Sequence, residues 1–137
     1  MLLPFPSSNL SAKRKILVVD DEKIIADTLE LILLKEGYEV RKFYRAKAAL
    51  NALASFIPEL VVGDVILPDK YGFEMATEIK RRIPSIQILL LSGQVATSKL
   101  MDEARLAQVE LLSKPVSPRD LIQKVEQMLN VRKSNAA

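Results

Sequence analysis

The chain has 137 residues, of which 49% are hydrophobic and 27% charged, which suits one globular domain with a substantial core. Its 20 basic and 17 acidic residues are scattered and mixed, leaving a net charge of +3. That pattern predicts a solvated surface and no direct nucleic-acid binding. With no cysteine and no histidine, disulfides, thiolate sites, histidine acid–base catalysis and histidine-ligated metals are excluded, and any bound metal takes oxygen ligands.

Residues 1–13 are rich in Pro, Ser and Asn without a period and predict a flexible leader. Pro4 and Pro6 interrupt its apolar stretch, and no basic residues open it, so a signal peptide is not expected. No apolar run approaches the ~20 residues of a membrane span. The expected compartment is therefore the cytoplasm. The domain is expected over 14–130, with a frayed tail at 131–137.

KILVV (15–19) is a β-branched apolar run ending in Asp20-Asp21. A helix is predicted from about Glu22 to Glu36, with Ile25, Leu29, Ile32 and Leu33 on its core face and Gly37 at its end. Ile24, Thr28 and Leu31 form a second stripe, suited either to a partner helix or to packing on the last helix. YEVRKF (38–43) alternates like an edge strand, and Arg45–Ser55 reads as helical. Pro58 precedes the strand ELVVGD (59–64). A loop with Pro68 leads to a helix over Gly72–Arg82, which Pro84 ends. IQILLLS (86–92) is a continuous apolar strand, followed by a helix from about Val95 to Leu106. VELL (109–112) is a short strand before Ser113-Lys114-Pro115. Ser117 and Pro118 suit the N-cap and first position of a last helix carrying Leu121, Val125, Met128 and Leu129.

Five strands alternating with five helices predict right-handed crossovers and a doubly wound parallel α/β sheet with helices on both faces. Ligands of such sheets bind outside the carboxyl ends of the strands. There the sequence places Asp20-Asp21, Asp64, Ser92-Gly93 and Lys114-Pro115. Each has an ordinary use alone, as a helix cap, a turn residue or a loop. Together they gather three carboxylates, a hydroxyl and an ammonium at one sheet edge. Clustered carboxylates share protons or hold a cation, and a hard divalent ion such as Mg²⁺ fits. A lysine and a serine can meet phosphoryl oxygens, and a carboxylate can act as nucleophile toward phosphorus.

The segments KILVVDDE (15–22), ELVVGDVILPDKYGFE (59–74), ILLLSG (88–93) and LLSKPVSPRDL (111–121) together resemble the receiver domain of two-component response regulators. The resemblance covers about Lys15 to Asn130 and implies the flavodoxin-like strand order 2-1-3-4-5. It implies that Asp64 is the phosphoacceptor and that Asp20, Asp21, Asp64 and the backbone carbonyl of Ile66 hold Mg²⁺. Ser92 matches the switch hydroxyl and Lys114 the lysine that pairs with the phosphoryl group. The backbone of Gly93 is expected to reach that group, and Pro115 to follow a cis peptide bond. The implied donor is a sensor histidine kinase or phosphotransfer protein, usually docked along the first helix.

Three features depart from the family pattern. Leu111 stands three residues before Lys114, where an aromatic residue is usual. Ala107 stands where a glycine commonly precedes the fifth strand. Apolar Ile66 and small Gly93 flank the phosphoryl position, and Ile66 is expected to slow hydrolysis. The chain carries no recognisable effector, so output is expected through an unidentified protein partner or onward relay, and a homodimer stays open. The alternative is a degenerate receiver acting as a phosphorylation-independent scaffold or dimerisation module. A Mg²⁺-dependent phosphatase is disfavoured, because Asp64-Val65-Ile66 lacks a second acid. Few aromatics disfavour a flavin site, and no Gly-rich run supports a P-loop.

Overall fold

β1 (Lys15–Val19), β2 (Glu39–Phe43), β3 (Leu60–Asp64), β4 (Gln87–Ser92) and β5 (Glu110–Ser113) form one parallel sheet in the order 2-1-3-4-5, as expected. The computed structural model describes residues 13–130. The expected leader, Lys13 apart, and the expected tail lie outside the described residues. Between the strands run α1 (Lys23–Lys35), α2 (Ala46–Ala52), α3 (Gly72–Arg82), α4 (Ser98–Ala107) and α5 (Pro118–Leu129). No helix among the described residues is long and apolar enough to cross a membrane.

Successive strand residues point to opposite faces, so a strand covered on both sides must be apolar at every position. Leu17, Val19, Val61, Ile88 and Leu90 pack on one face with α2, α3 and α4. Ile16, Val18, Leu60, Val62, Leu89 and Leu91 pack on the other with α1 and α5. β2, at the edge, keeps only partial burial.

α1 ends as its sequence predicts. Gly37 adopts φ +94, its N–H donates to the Leu34 carbonyl at 3.0 Å, and the Tyr38 N–H donates to the Leu33 carbonyl at 3.2 Å. This is a Schellman motif, which requires the left-handed conformation that glycine adopts freely. The α1 core face is Ala26, Leu29 and Leu33, with Ile25 and Ile32 partly buried beside them. The second stripe does not pack on α5: Ile24 is 82% exposed and Leu31 56%.

Two helices are shorter than their sequence patterns. α2 stops at Ala52, and Leu53, Ala54 and Ser55 close i→i−3 bonds in tight turns. α4 starts at Ser98 rather than Val95, because the Thr97 side chain accepts from the Leu100 N–H at 3.1 Å and fixes the cap there. Ala107 remains helical, and Gln108 takes the left-handed turn at φ 58 before β5. α5 begins as expected, with the Ser117 hydroxyl accepting from the Asp120 N–H at 3.0 Å and Pro118 in the first turn.

Candidate carboxylate–lysine site

Asp20 follows β1 directly, its N–H donating to the Phe43 carbonyl at 3.0 Å, while Asp64 is the last residue of β3. β1 and β3 are neighbours in parallel register, so their carboxyl ends lie side by side. One carboxylate oxygen from each of Asp20, Asp21 and Asp64 lies within 4.8 Å of the others. Asp20 is buried and Asp21 exposed, while Asp64 is 9% exposed at the mouth.

Lys114 enters from the end of β5. Its Nζ lies 2.9 Å from Asp64 Oδ2 and 3.0 Å from Asp20 Oδ2. Glu22 Oε1 stands further off, at 3.6 Å. The Lys114 N–H also donates to the Ser92 carbonyl at 2.8 Å, which joins the ends of β4 and β5. The Lys114–Pro115 peptide bond is cis.

Burial pushes the Asp20 carboxyl above its ordinary value. The Glu22 N–H, donating to Asp20 Oδ1 at 3.0 Å, and the Lys114 ammonium only partly offset it. Burial works to lower the Lys114 ammonium as well. Its hydrogen bonds to Asp64 and Asp20 outweigh that and raise it, so it stays charged. One ammonium therefore faces three carboxylates. The donor set is oxygen only and incompletely neutralised, which fits a hard divalent cation.

The structure thus brings Asp20, Asp21, Asp64 and Lys114 together. Ser92, buried at the end of β4, is one residue past Leu91, the partner of Asp64 in the sheet. Its hydroxyl is turned into its own loop, accepting from the Gln94 N–H at 3.1 Å and donating to the Gln94 carbonyl at 3.4 Å. Gly93 is exposed, and a Cβ there would meet nothing within 4 Å. Ile66 is 53% exposed, and its N–H donates to Asp64 Oδ1 at 3.3 Å. The loop after Asp64 closes at Gly72, where an added Cβ would lie 2.8 Å from Val65 Cα. Only glycine fits so close an approach.

Sequence reasoning missed three residues around this site. Glu22 contributes an N–H to Asp20 and a carboxylate near Lys114. Asp69 accepts from the Ala46 and Lys47 N–H groups at 3.0 and 2.8 Å, capping α2 from the loop after β3. Tyr71 donates from its hydroxyl to Glu103 Oε1 on α4 at 3.1 Å. The last two are long-range pairings with no local pattern.

The family model described as "Response regulator receiver domain" matches residues 16–126. The chain belongs to the response regulator receiver family. It is similar to a CheY-like response regulator receiver domain protein from Methanospirillum hungatei JF-1, with 30% identity over 87% of this chain and 95% of that one and a TM-score of 0.82. It is also similar to the chemotaxis protein CheY4 of Vibrio cholerae, with 25% identity over 85% of this chain and 99% of that one and a TM-score of 0.80. A beryllofluoride-activated DrrB receiver domain matches with 29% identity over 87% of this chain and 99% of that one, at a TM-score of 0.78. Receivers are signalling modules of two-component systems, and they bind Mg²⁺ at an acidic pocket of this type. In this receiver, Leu111 is half-buried on β5 and packs against the core. It helps line a cavity of about 380 Å³ between α4 and β5, with Ser92 also in its lining.

Proposed function

We propose that this receiver accepts a phosphoryl group on Asp64 from a phosphohistidine of a sensor kinase or phosphotransfer protein. The observation that supports this most directly is the Lys114 ammonium, shared between Asp64 and Asp20 at the mouth of a three-carboxylate cluster. An Asp64 carboxylate oxygen forms the new bond to phosphorus as the P–N bond breaks, and its electron pair leaves with the imidazole. Lys114 meets the negative charge of the incoming phosphoryl oxygens. The Gly93 backbone N–H and, after rotation out of its loop, the Ser92 hydroxyl donate to those oxygens. Asp20, Asp21, Asp64 and the Ile66 carbonyl would hold Mg²⁺. Bound there, the ion neutralises carboxylate and phosphoryl charge. Water later attacks the acyl phosphate, so the domain also catalyses its own dephosphorylation and no other turnover.

The donor docks on the exposed stripe of α1. Beside it, Ile24, Ile25, Thr28 and Ile32 line a groove of about 440 Å³ with Lys114 and Pro115. Such a groove accepts a partner helix next to the acceptor carboxylate. The cytoplasm, where such donors present their phosphohistidines, is the compartment that belongs to this reading.

Incubation with acetyl phosphate and Mg²⁺, read by intact mass, tests the proposal. One phosphoryl adduct is expected, lost in Asp64→Asn and in the presence of EDTA. No adduct, together with no beryllofluoride binding, would leave the phosphorylation-independent scaffold as the function. Leu111 favours that reading, and the complete carboxylate–lysine set weighs against it.

A further inference from the structure

We propose that Tyr71 and Glu103 form a latch that carries the state of Asp64 to α4, and that phosphorylation opens it. This rests on the phosphoacceptor reading above and assigns the route by which the site speaks to a helix.

The loop between β3 and α3 is a closed mechanical link. At one end, the Ile66 N–H donates to Asp64 Oδ1 at 3.3 Å. Ile66 then pairs antiparallel with Tyr71, and the Gly72 N–H donates to the Val65 carbonyl at 2.6 Å. Backbone atoms of Val65 crowd the space beside Gly72, so the two strands of the loop move together. At the other end, the Tyr71 hydroxyl donates to Glu103 Oε1 at 3.1 Å. The Tyr71 ring rests against buried Phe73, centroids 5.3 Å apart, which leaves the hydroxyl few directions in which to move. Burial, reinforced by Glu103, raises the phenol above its ordinary value, so it remains a donor at any physiological pH.

α4 is the helix least committed to the core. Only Leu100 and Ala104 are buried, while Met101 and Leu106 are 54% and 86% exposed. Among the described residues, no other side-chain hydrogen bond or ion pair ties α4 to another element; Arg105 pairs with Asp102 on the same helix. Leu111, on the strand beside α4, has no hydroxyl with which to serve instead. Phosphorylating Asp64 turns the carboxylate that the Ile66 N–H holds into a mixed anhydride, whose neutral carbonyl is a weaker acceptor, and adds charge beside it. The strain passes across the Ile66–Tyr71 pair, and the bond to Glu103 is the weak point at its far end.

Hydrogen–deuterium exchange of the amides of residues 98–107, with and without beryllofluoride and Mg²⁺, tests the latch, with ¹⁹F NMR reporting binding separately. In the wild type, beryllofluoride is expected to speed exchange in α4. Tyr71→Phe should bind beryllofluoride, exchange rapidly in α4 beforehand, and show no further increase. Glu103→Ala, which removes the acceptor from the other side, should behave the same way, and Glu103→Gln, which keeps an acceptor oxygen, should restore the response. If the hydrogen bond merely stabilises, its loss in these variants would raise α4 exchange in both states and leave the increment intact, and that result would overturn the latch. A wild type that binds beryllofluoride without any change in α4 would overturn it too, while leaving the phosphoacceptor reading standing. A wild type that binds none removes both.

Discussion

Ile66 sits two residues past Asp64 with its backbone holding the carboxylate and 53% of its surface open to solvent. Hydrolysis of an acyl phosphate needs a water placed in line with the departing carboxylate, and an aliphatic side chain there offers no hydrogen bond to place one. Ile66→Asn supplies an amide and is expected to shorten the lifetime of the phosphorylated form several-fold. The check is phosphate release after removal of acetyl phosphate, and an unchanged or longer lifetime would sink the idea. The backbone role of Ile66 is preserved in this variant, so phosphorylation itself should proceed. Gly93 presents a different case: its exposed position has room for a Cβ, so no steric reason in the fold demands glycine there. The residues of the candidate site were legible because each lies at or just past the carboxyl end of a strand, and strand ends in a parallel sheet converge. The orientation of the Ser92 hydroxyl was not legible, since it depends on how residues 92–94 turn.

Among the elements, the strands were readable from short apolar runs and α5 from Ser117-Pro118, because both signals are local. The apolar pattern starts α4 three residues early, because Val95 and Ala96 extend it while the Thr97 cap decides the start. The start of α2 had no local signal. Arg45, its N-cap, makes no side-chain cap, and Asp69 supplies both acceptors from 23 and 22 residues away. Asp69→Ala should cost about 1 kcal/mol, the ordinary worth of a helix N-terminal cap. Burial works to raise the Asp69 carboxyl, but the Lys47 and Ala46 N–H groups outweigh it and hold the carboxyl below its ordinary value of 3.8. A carboxyl depressed by folding stabilises above its unfolded pKa and loses that contribution as pH falls through the folded one. The stability difference between Asp69→Ala and wild type should therefore be constant at neutral pH and shrink once the pH drops below about 3.8. Urea unfolding across pH measures it, and a difference that widens in acid would contradict the capping role.

For the whole molecule, the parallel topology sets up a conflict that the sequence alone could suggest but not weigh. Folding brings Asp64 from β3 against the acidic pair after β1, a juxtaposition absent from the unfolded chain. Lys114 supplies one positive charge to three carboxylates, with Glu22 adding a fourth at its margin. The fold therefore carries repulsion that a bound divalent cation would relieve, and a ligand that binds only the folded state adds stability as its concentration rises, about 2.7 kcal/mol at a hundredfold excess over Kd. Asp21 is the right residue to separate the two effects. It is exposed and, among the described residues, no side-chain hydrogen bond involves it, whereas Asp20 is buried and bonded to Glu22 and Lys114, so its removal would also break structure. Asp21→Asn should melt above the wild type in EDTA, because repulsion is reduced, and below it in saturating Mg²⁺, because a ligand is lost. Thermal melts of both proteins under both conditions should thus exchange order. If Mg²⁺ leaves the wild-type melting temperature unchanged, or if the variant melts lower in both conditions, the carboxylates are held by the fold for some purpose other than a cation.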